Sequence, residues 1–184
     1  MVSFFVTSAT STTGNLGGLA AADALCDTLA TAAGHTGRMW RAYLSTSTEN
    51  AGERIGEGPW YNAAGVLLAN NLTELHAMDG DYELFLDEHG DPINGQWDGS
   101  TDPNEHDILT GTNRDGTVAT GMTCEDWTSD SDQIAAQVGH SDGLGPNGSM
   151  DAMYRPWNST HTSESCADTA PRGGAGRFYC FAAD

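Results

Sequence analysis

Asp98, Asp102, Asn104, Glu105 and Asp107 crowd oxygen-bearing side chains into one short stretch, the donor type a hard cation such as calcium requires. Calcium bound there would offset the repulsion between the carboxylates. Two further acidic groups, Asp87-Glu88 with Asp91 and Asp126 with Asp130 and Asp132, read as solvated surface or as loops ordered around the same ion. The six histidines are scattered, and His106-Asp107 is a dipeptide without the neighbouring ligands a catalytic metal needs. Each histidine therefore reads as a surface or hydrogen-bonding residue. No H-E-x-x-H, G-x-S-x-G or phosphate-binding loop is present, and paired carboxylates carry little information in so acidic a chain. These features argue against an enzyme.

Cys26, Cys124, Cys166 and Cys180 form an even set without CxxC spacing, which favours two disulfides over a zinc site and points to an extracellular setting. Four cysteines can pair in three ways, and spacing alone does not choose among them. Seven basic against 26 acidic side chains give a formal charge of −19, which repels nucleic acid, heparin-like polyanions and anionic lipid. No apolar run is long enough for membrane insertion. With 184 residues, one domain spanning 1–184 is expected; the 38% hydrophobic content and 23 glycines imply a small core under long loops.

The elements that must position these groups are few. Phe4-Phe5-Val6-Thr7 predicts an opening strand. Leu19, Ala22, Cys26 and Leu29 recur at helical spacing up to a stop at Gly34, with Asp23 and Asp27 on another face. Trp40, Ala42 and Leu44 alternate with Arg41, Tyr43 and Ser45, which predicts a half-buried strand. Val66–Ala69 and Tyr82–Leu86 predict two more strands, and Phe178-Tyr179-Cys180-Phe181 a closing one. Between Asp87 and Asp115 the chain reads as one long loop anchored by Trp97 and Ile108-Leu109. Few helices and short strands joined by elaborate loops give an α+β fold.

Two stretches carry a family likeness. LAAADALCDTLATAAGHTGRMWRAYLS, from Leu19 to Ser45, resembles the endostatin pattern of an ADxxC helix followed by G-x-x-RAFLS. Gln96-Trp97-Asp98-Gly99-Ser100-Thr101-Asp102-Pro103-Asn104, with Thr123-Cys124-Glu125-Asp126-Trp127 after it, is similar to that family's W-x-G-S-DPN and C-E-x-W. The resemblance implies a C-type-lectin-like, endostatin-like fold with nested bridges, Cys26 to Cys180 and Cys124 to Cys166. Endostatin itself is a basic heparin binder with an N-terminal histidine zinc site. This chain is acidic and has no histidine before His35, so neither activity carries over.

In sugar-binding C-type lectins an EPN-type loop and a WND motif share calcium with the sugar, and Asp102-Pro103-Asn104 and Trp157-Asn158-Ser159 resemble both. Ser159 departs from the carboxylate that motif supplies. Asp102, Asn104, Trp157 and Asn158 are thus the expected ligand-binding residues, and Asp98, Asp102, Asn104, Glu105 and Asp107 the expected calcium ligands. Pro103 also fits a plain turn, and Trp97, Trp127 and Trp157 also fit core or loop anchors. The expected function is an extracellular, calcium-assisted recognition domain for a glycan or a protein. A metal-independent protein-interaction module is the alternative, and a cryptic hydrolase the third.

Overall fold

The computed structural model describes residues 1–99 and 102–184; Ser100 and Thr101, inside the Gln96-to-Asn104 motif, lie outside the described residues. Its elements run β1 (Phe4–Val6), α1 (Leu19–Ala32), β2 (Trp40–Ala42), α2 (Ala51–Arg54), β3 (Trp60–Tyr61), β4 (Leu67–Ala69) and α3 (Leu72–Ala77). The second half supplies β5 (Asp107–Leu109), β6 (Gln137–His140), β7 (His161–Thr162) and β8 (Gly174–Ala182). Helices and strands are mixed along the chain, as expected.

The closing strand organises everything else. β8 pairs antiparallel with β1 (Phe4↔Phe181) and with β2 (Trp40↔Ala182), and parallel with β5 (Asp107↔Gly174). β6 then pairs antiparallel with β5, and β7 with β6. Phe178-Tyr179-Cys180-Phe181 is apolar at every position because successive side chains enter different cores. Phe178, Cys180 and Ala182 pack with Phe5, Trp40, Leu109 and Val138, whereas Tyr179 and Phe181 pack with Phe4, Tyr43, Trp60 and Trp157.

The same double burial explains a departure on the chain after β2. Simple alternation would expose Tyr43 and Ser45, yet both are fully buried, because a second core lies on that side. Helix α1 begins after Gly17-Gly18 and buries Ala22, Cys26 and Ala30. Gly34, at φ 85°, ends it by turning the chain so that the His35 N–H reaches the Ala30 carbonyl at 2.8 Å. Asp23, on another face of the helix, is engaged: its carboxylate accepts from the Ala42 backbone N–H at 2.9 Å and from Arg54 at 2.7 Å.

Two disulfides are present, Cys26–Cys180 and Cys124–Cys166, with Cα atoms 5.6 and 5.7 Å apart. The pairing is the one the resemblance implied. Cys26–Cys180 ties α1 to β8. Cys124 opens a left-handed turn in which Cys124, Glu125, Asp126 and Trp127 have φ of 49°, 51°, 57° and 67°, and the Trp127 indole N–H anchors it to the Ser45 carbonyl at 2.8 Å.

Two expectations need correction. Tyr82–Leu86 forms a turn rather than a strand, because the Asp81 carboxylate accepts from the Glu83 N–H and its carbonyl from those of Leu84 and Phe85, each at 2.9 Å. The stretch from Asp87 to Asp115 is not one loop either. Asp107–Leu109 within it is an interior strand, hydrogen-bonded on both edges. No helix among the described residues is long and apolar enough to cross a membrane.

Candidate functional site

The Asp102–Glu105 loop borders a cleft of about 570 Å³, within the usual range for small-ligand sites. Asp102, Asn104, Thr169 and Arg172 line it beside the Thr10–Thr12 strap, and the Asp102–Pro103 peptide is cis. Backbone lacing holds the strap to the opposite wall: the Ser11 N–H reaches the Ala175 carbonyl at 2.8 Å and the Thr169 N–H the Thr12 carbonyl at 3.1 Å. Gly173, at φ 114°, lets that wall close on the loop. A Cβ there would stand 2.6 Å from Asn104 Nδ2, so a larger residue would both strain the backbone and displace the Asn104 side chain.

Of the five expected calcium ligands, Asp102, Asn104 and Glu105 line this cleft, whereas Asp98 and Asp107 do not. Glu105 is neutralised by Arg177, whose Nη2 donates to Oε2 at 2.7 Å, with both side chains largely buried. Asp98 ends a 3-10 turn, Gln96–Asp98, and is exposed, as is Asp102. Asp107 is 2% exposed and opens β5, facing imidazoles rather than the other carboxylates. The five-residue oxygen cage is therefore pulled apart, because the chain enters a buried strand at Asp107. The residues present do not fit calcium as a set.

Asp107 meets a different group. It stands opposite His140 in the β5–β6 ladder, and His161 on β7 is opposite Val138, two residues from His140 and on the same face by alternation. Asp107 Oδ1 lies 3.2 Å from His140 Nε2, 3.4 Å from His106 Nε2 and 3.6 Å from His161 Nε2. His140 Nε2 and His161 Nε2 are 2.9 Å apart. The rings of His106 and His140 stack at 4.2 Å, and Tyr154 lies parallel to His140 at 6.0 Å.

The outer atoms of two rings are held. His106 Nδ1 donates to Asp142 Oδ1 at 2.8 Å and His161 Nδ1 to the Thr162 carbonyl at 3.0 Å. Asp142 in turn accepts backbone N–H groups from Gln96 at 2.8 Å and Leu144 at 3.0 Å. Burial alone would raise the Asp142 pKa, but the hydrogen bond from His106 together with these N–H donors holds it below the usual carboxylate value. Burial pushes His140 the other way, below an ordinary imidazole, with Asp107 opposing only in part. Two imidazole nitrogens and a carboxylate oxygen, from His140, His161 and Asp107, thus lie within 4.8 Å of one another with His106 beside them, a donor set suited to borderline transition metals rather than to calcium.

Compared with protein-family models and with curated proteins, the sequence matches none.

Two of the expected ligand-binding residues are structural. Trp157 is fully buried in the second core, its indole N–H donating to the Leu75 carbonyl at 2.8 Å. Asn158 is also fully buried, with Nδ2 donating to the Tyr43 hydroxyl at 3.0 Å and its carbonyl accepting from Thr110 Oγ1 at 2.7 Å. Neither faces a ligand, because the chain between β6 and β7 passes under the surface there. Asp102 and Asn104 do line the cleft. His106, His140, Asp142 and His161 were missed, since no two of the histidines are close in sequence; the one local signal was His106-Asp107 entering a strand.

Proposed function

We propose that this chain is an extracellular, non-catalytic recognition domain of the C-type-lectin-like type, and that it binds a hydroxyl-rich ligand, a glycan, in the cleft beside Asp102 and Asn104. The observation that carries this reading is the cleft lining. A carboxylate, a primary amide, threonine hydroxyls and the Arg172 guanidinium surround about 570 Å³ whose walls are laced together by backbone hydrogen bonds. Such groups can donate to and accept from vicinal hydroxyls directly, without calcium. Support for the lectin-like type comes from the Leu19–Ser45 and Gln96–Asn104 motifs, the nested disulfides and the pairing of the first and last strands. The formal charge of −19 favours neutral over acidic sugars.

A glycan array with and without chelator, repeated with Asp102→Ala and Asn104→Ala, tests the reading. Binding to neutral glycans that survives chelation and is lost in both variants is the expected result. Retention of glycan by both variants would remove the cleft from the account. The alternative protein-interaction module is favoured by Met150 and Met153, which are 68% and 66% exposed, and by the exposed Tyr82 ring stacked on Trp97 at 4.4 Å. Substitution of these residues, with loss of a protein partner and no glycan bound, would select it.

A further inference from the structure

We propose that His106, Asp107, His140 and His161 form a transition-metal site of the zinc class, separate from the cleft. Its starting point is a buried carboxylate facing imidazoles. Asp107 is 2% exposed, and among the described residues neither of its oxygens meets hydrogen-bond geometry, although three imidazoles lie within 3.6 Å of Oδ1. A carboxylate buried without satisfied hydrogen bonds is costly, and a cation beside it removes that cost.

The proton bookkeeping points to a metal ion as that charge. His106 uses its Nδ1 proton on Asp142 and His161 uses its own on the Thr162 carbonyl. In the neutral tautomer that these two contacts fix, both rings turn an Nε2 lone pair inward, toward Asp107 Oδ1. His140 can donate through Nε2 to one neighbour only, so at least one nitrogen lone pair still faces the carboxylate oxygen. Several acceptors aimed at one point repel each other, and a divalent cation at that point converts all of them into ligands.

The spacing fits. A tetrahedron with bonds of about 2.0–2.1 Å has edges of roughly 3.3–3.4 Å. The Asp107 Oδ1 contacts are 3.2, 3.4 and 3.6 Å. The His140–His161 separation of 2.9 Å is that of a hydrogen bond, so coordination requires these rings to part by about 0.5 Å. His161 lies at a strand end with 30% of its side chain exposed, which provides both the freedom to move and a way in. Asp142, fixed by two backbone N–H groups, orients His106 in the manner of outer-sphere carboxylates at zinc sites. Three nitrogens and one oxygen select zinc, cobalt, nickel or copper over calcium and magnesium. Bound metal would join β5, β6 and β7, a region the two disulfides do not bridge to one another.

The test is titration of chelator-washed, disulfide-intact protein with zinc, with calcium as control, followed by ¹⁵N NMR of the histidine rings and by cobalt absorption. One equivalent of zinc should bind, the Nε2 resonances of His106, His140 and His161 should shift together, and cobalt should give the intense visible bands of a tetrahedral site. His161→Ala, at the exposed end, should weaken zinc binding at least about 100-fold, while His89→Ala, on the surface, should leave it unchanged. Absence of stoichiometric zinc binding at millimolar concentration overturns the proposal, as does binding indifferent to His161→Ala. So does an NMR spectrum in which zinc moves none of the three Nε2 resonances, the result if a doubly protonated His106 bridges Asp107 and Asp142.

Discussion

Asp107 and His140 face each other across the β5–β6 ladder with Oδ1 3.2 Å from Nε2, and both side chains are 2% exposed. A carboxylate and a ring that burial drives toward neutrality are thus locked together by strand register alone.

Asp107→Asn should therefore act in opposite directions with and without metal. In chelator the variant puts a neutral amide, able to donate to the facing imidazoles, in place of a buried acid whose oxygens lack hydrogen-bond geometry, and gains stability, by about 1–3 kcal/mol. In excess zinc the order reverses, because the wild type alone retains its anionic ligand and is stabilised as RT ln(1 + [L]/Kd). Parallel denaturant titrations in the two conditions check the crossing.

The two disulfides close rings of very different size. Their sequence separations of 154 and 42 residues correspond by loop-closure entropy to about 5 kcal/mol for Cys26–Cys180 and about 4 kcal/mol for Cys124–Cys166. Replacing either pair by alanine should lower the denaturation midpoint, the first pair more. Peptide mapping of secreted protein should recover both bridges and no free thiol.

Trp157→Ala should cost about 3–5 kcal/mol of stability, since the ring fills the core between Tyr43, Phe85 and Tyr179. Ligand affinity of the protein that remains folded should not change. A loss of affinity without loss of stability would return Trp157 to the ligand-binding surface.

Stability should fall with acid in two windows. His76 and His140 are both held below the ordinary imidazole value of 6.5, chiefly by burial, so the unfolded chain takes up protons first. Their contribution is complete above pH 6.5 and shrinks as pH falls from there toward their lowered folded values. Asp115 and Asp142 are depressed below 3.8, Asp115 chiefly by its Thr117 hydrogen bonds and Asp142 by His106 against the opposing effect of burial. Their contribution is present above 3.8 and lost below it. Denaturation midpoints from pH 8 to pH 3 should show both declines in metal-free protein, and His76→Gln should flatten the upper one.

Local chemistry in the sequence determined the parts of this protein that depend on near neighbours. The spacing of Ala22 and Cys26 specifies a helix with an inward cysteine, Gly34 ends it, and the aromatic, apolar Phe178–Phe181 run reads as the closing strand. The even cysteine set likewise points to two disulfides, and two are present. What the sequence could not express is which distant residues meet. Asp107 looks like one more carboxylate in an acidic loop, and His140 and His161 like isolated polar residues. Only the register of β5 on β6 and β6 on β7 aims them at one point. Trp157 and Asn158 carry the composition of a sugar site, yet packing against Leu75 and Tyr43 takes them inside. Strand pairing and burial join residues far apart in the chain, and neither is encoded in the spacing of side chains along it.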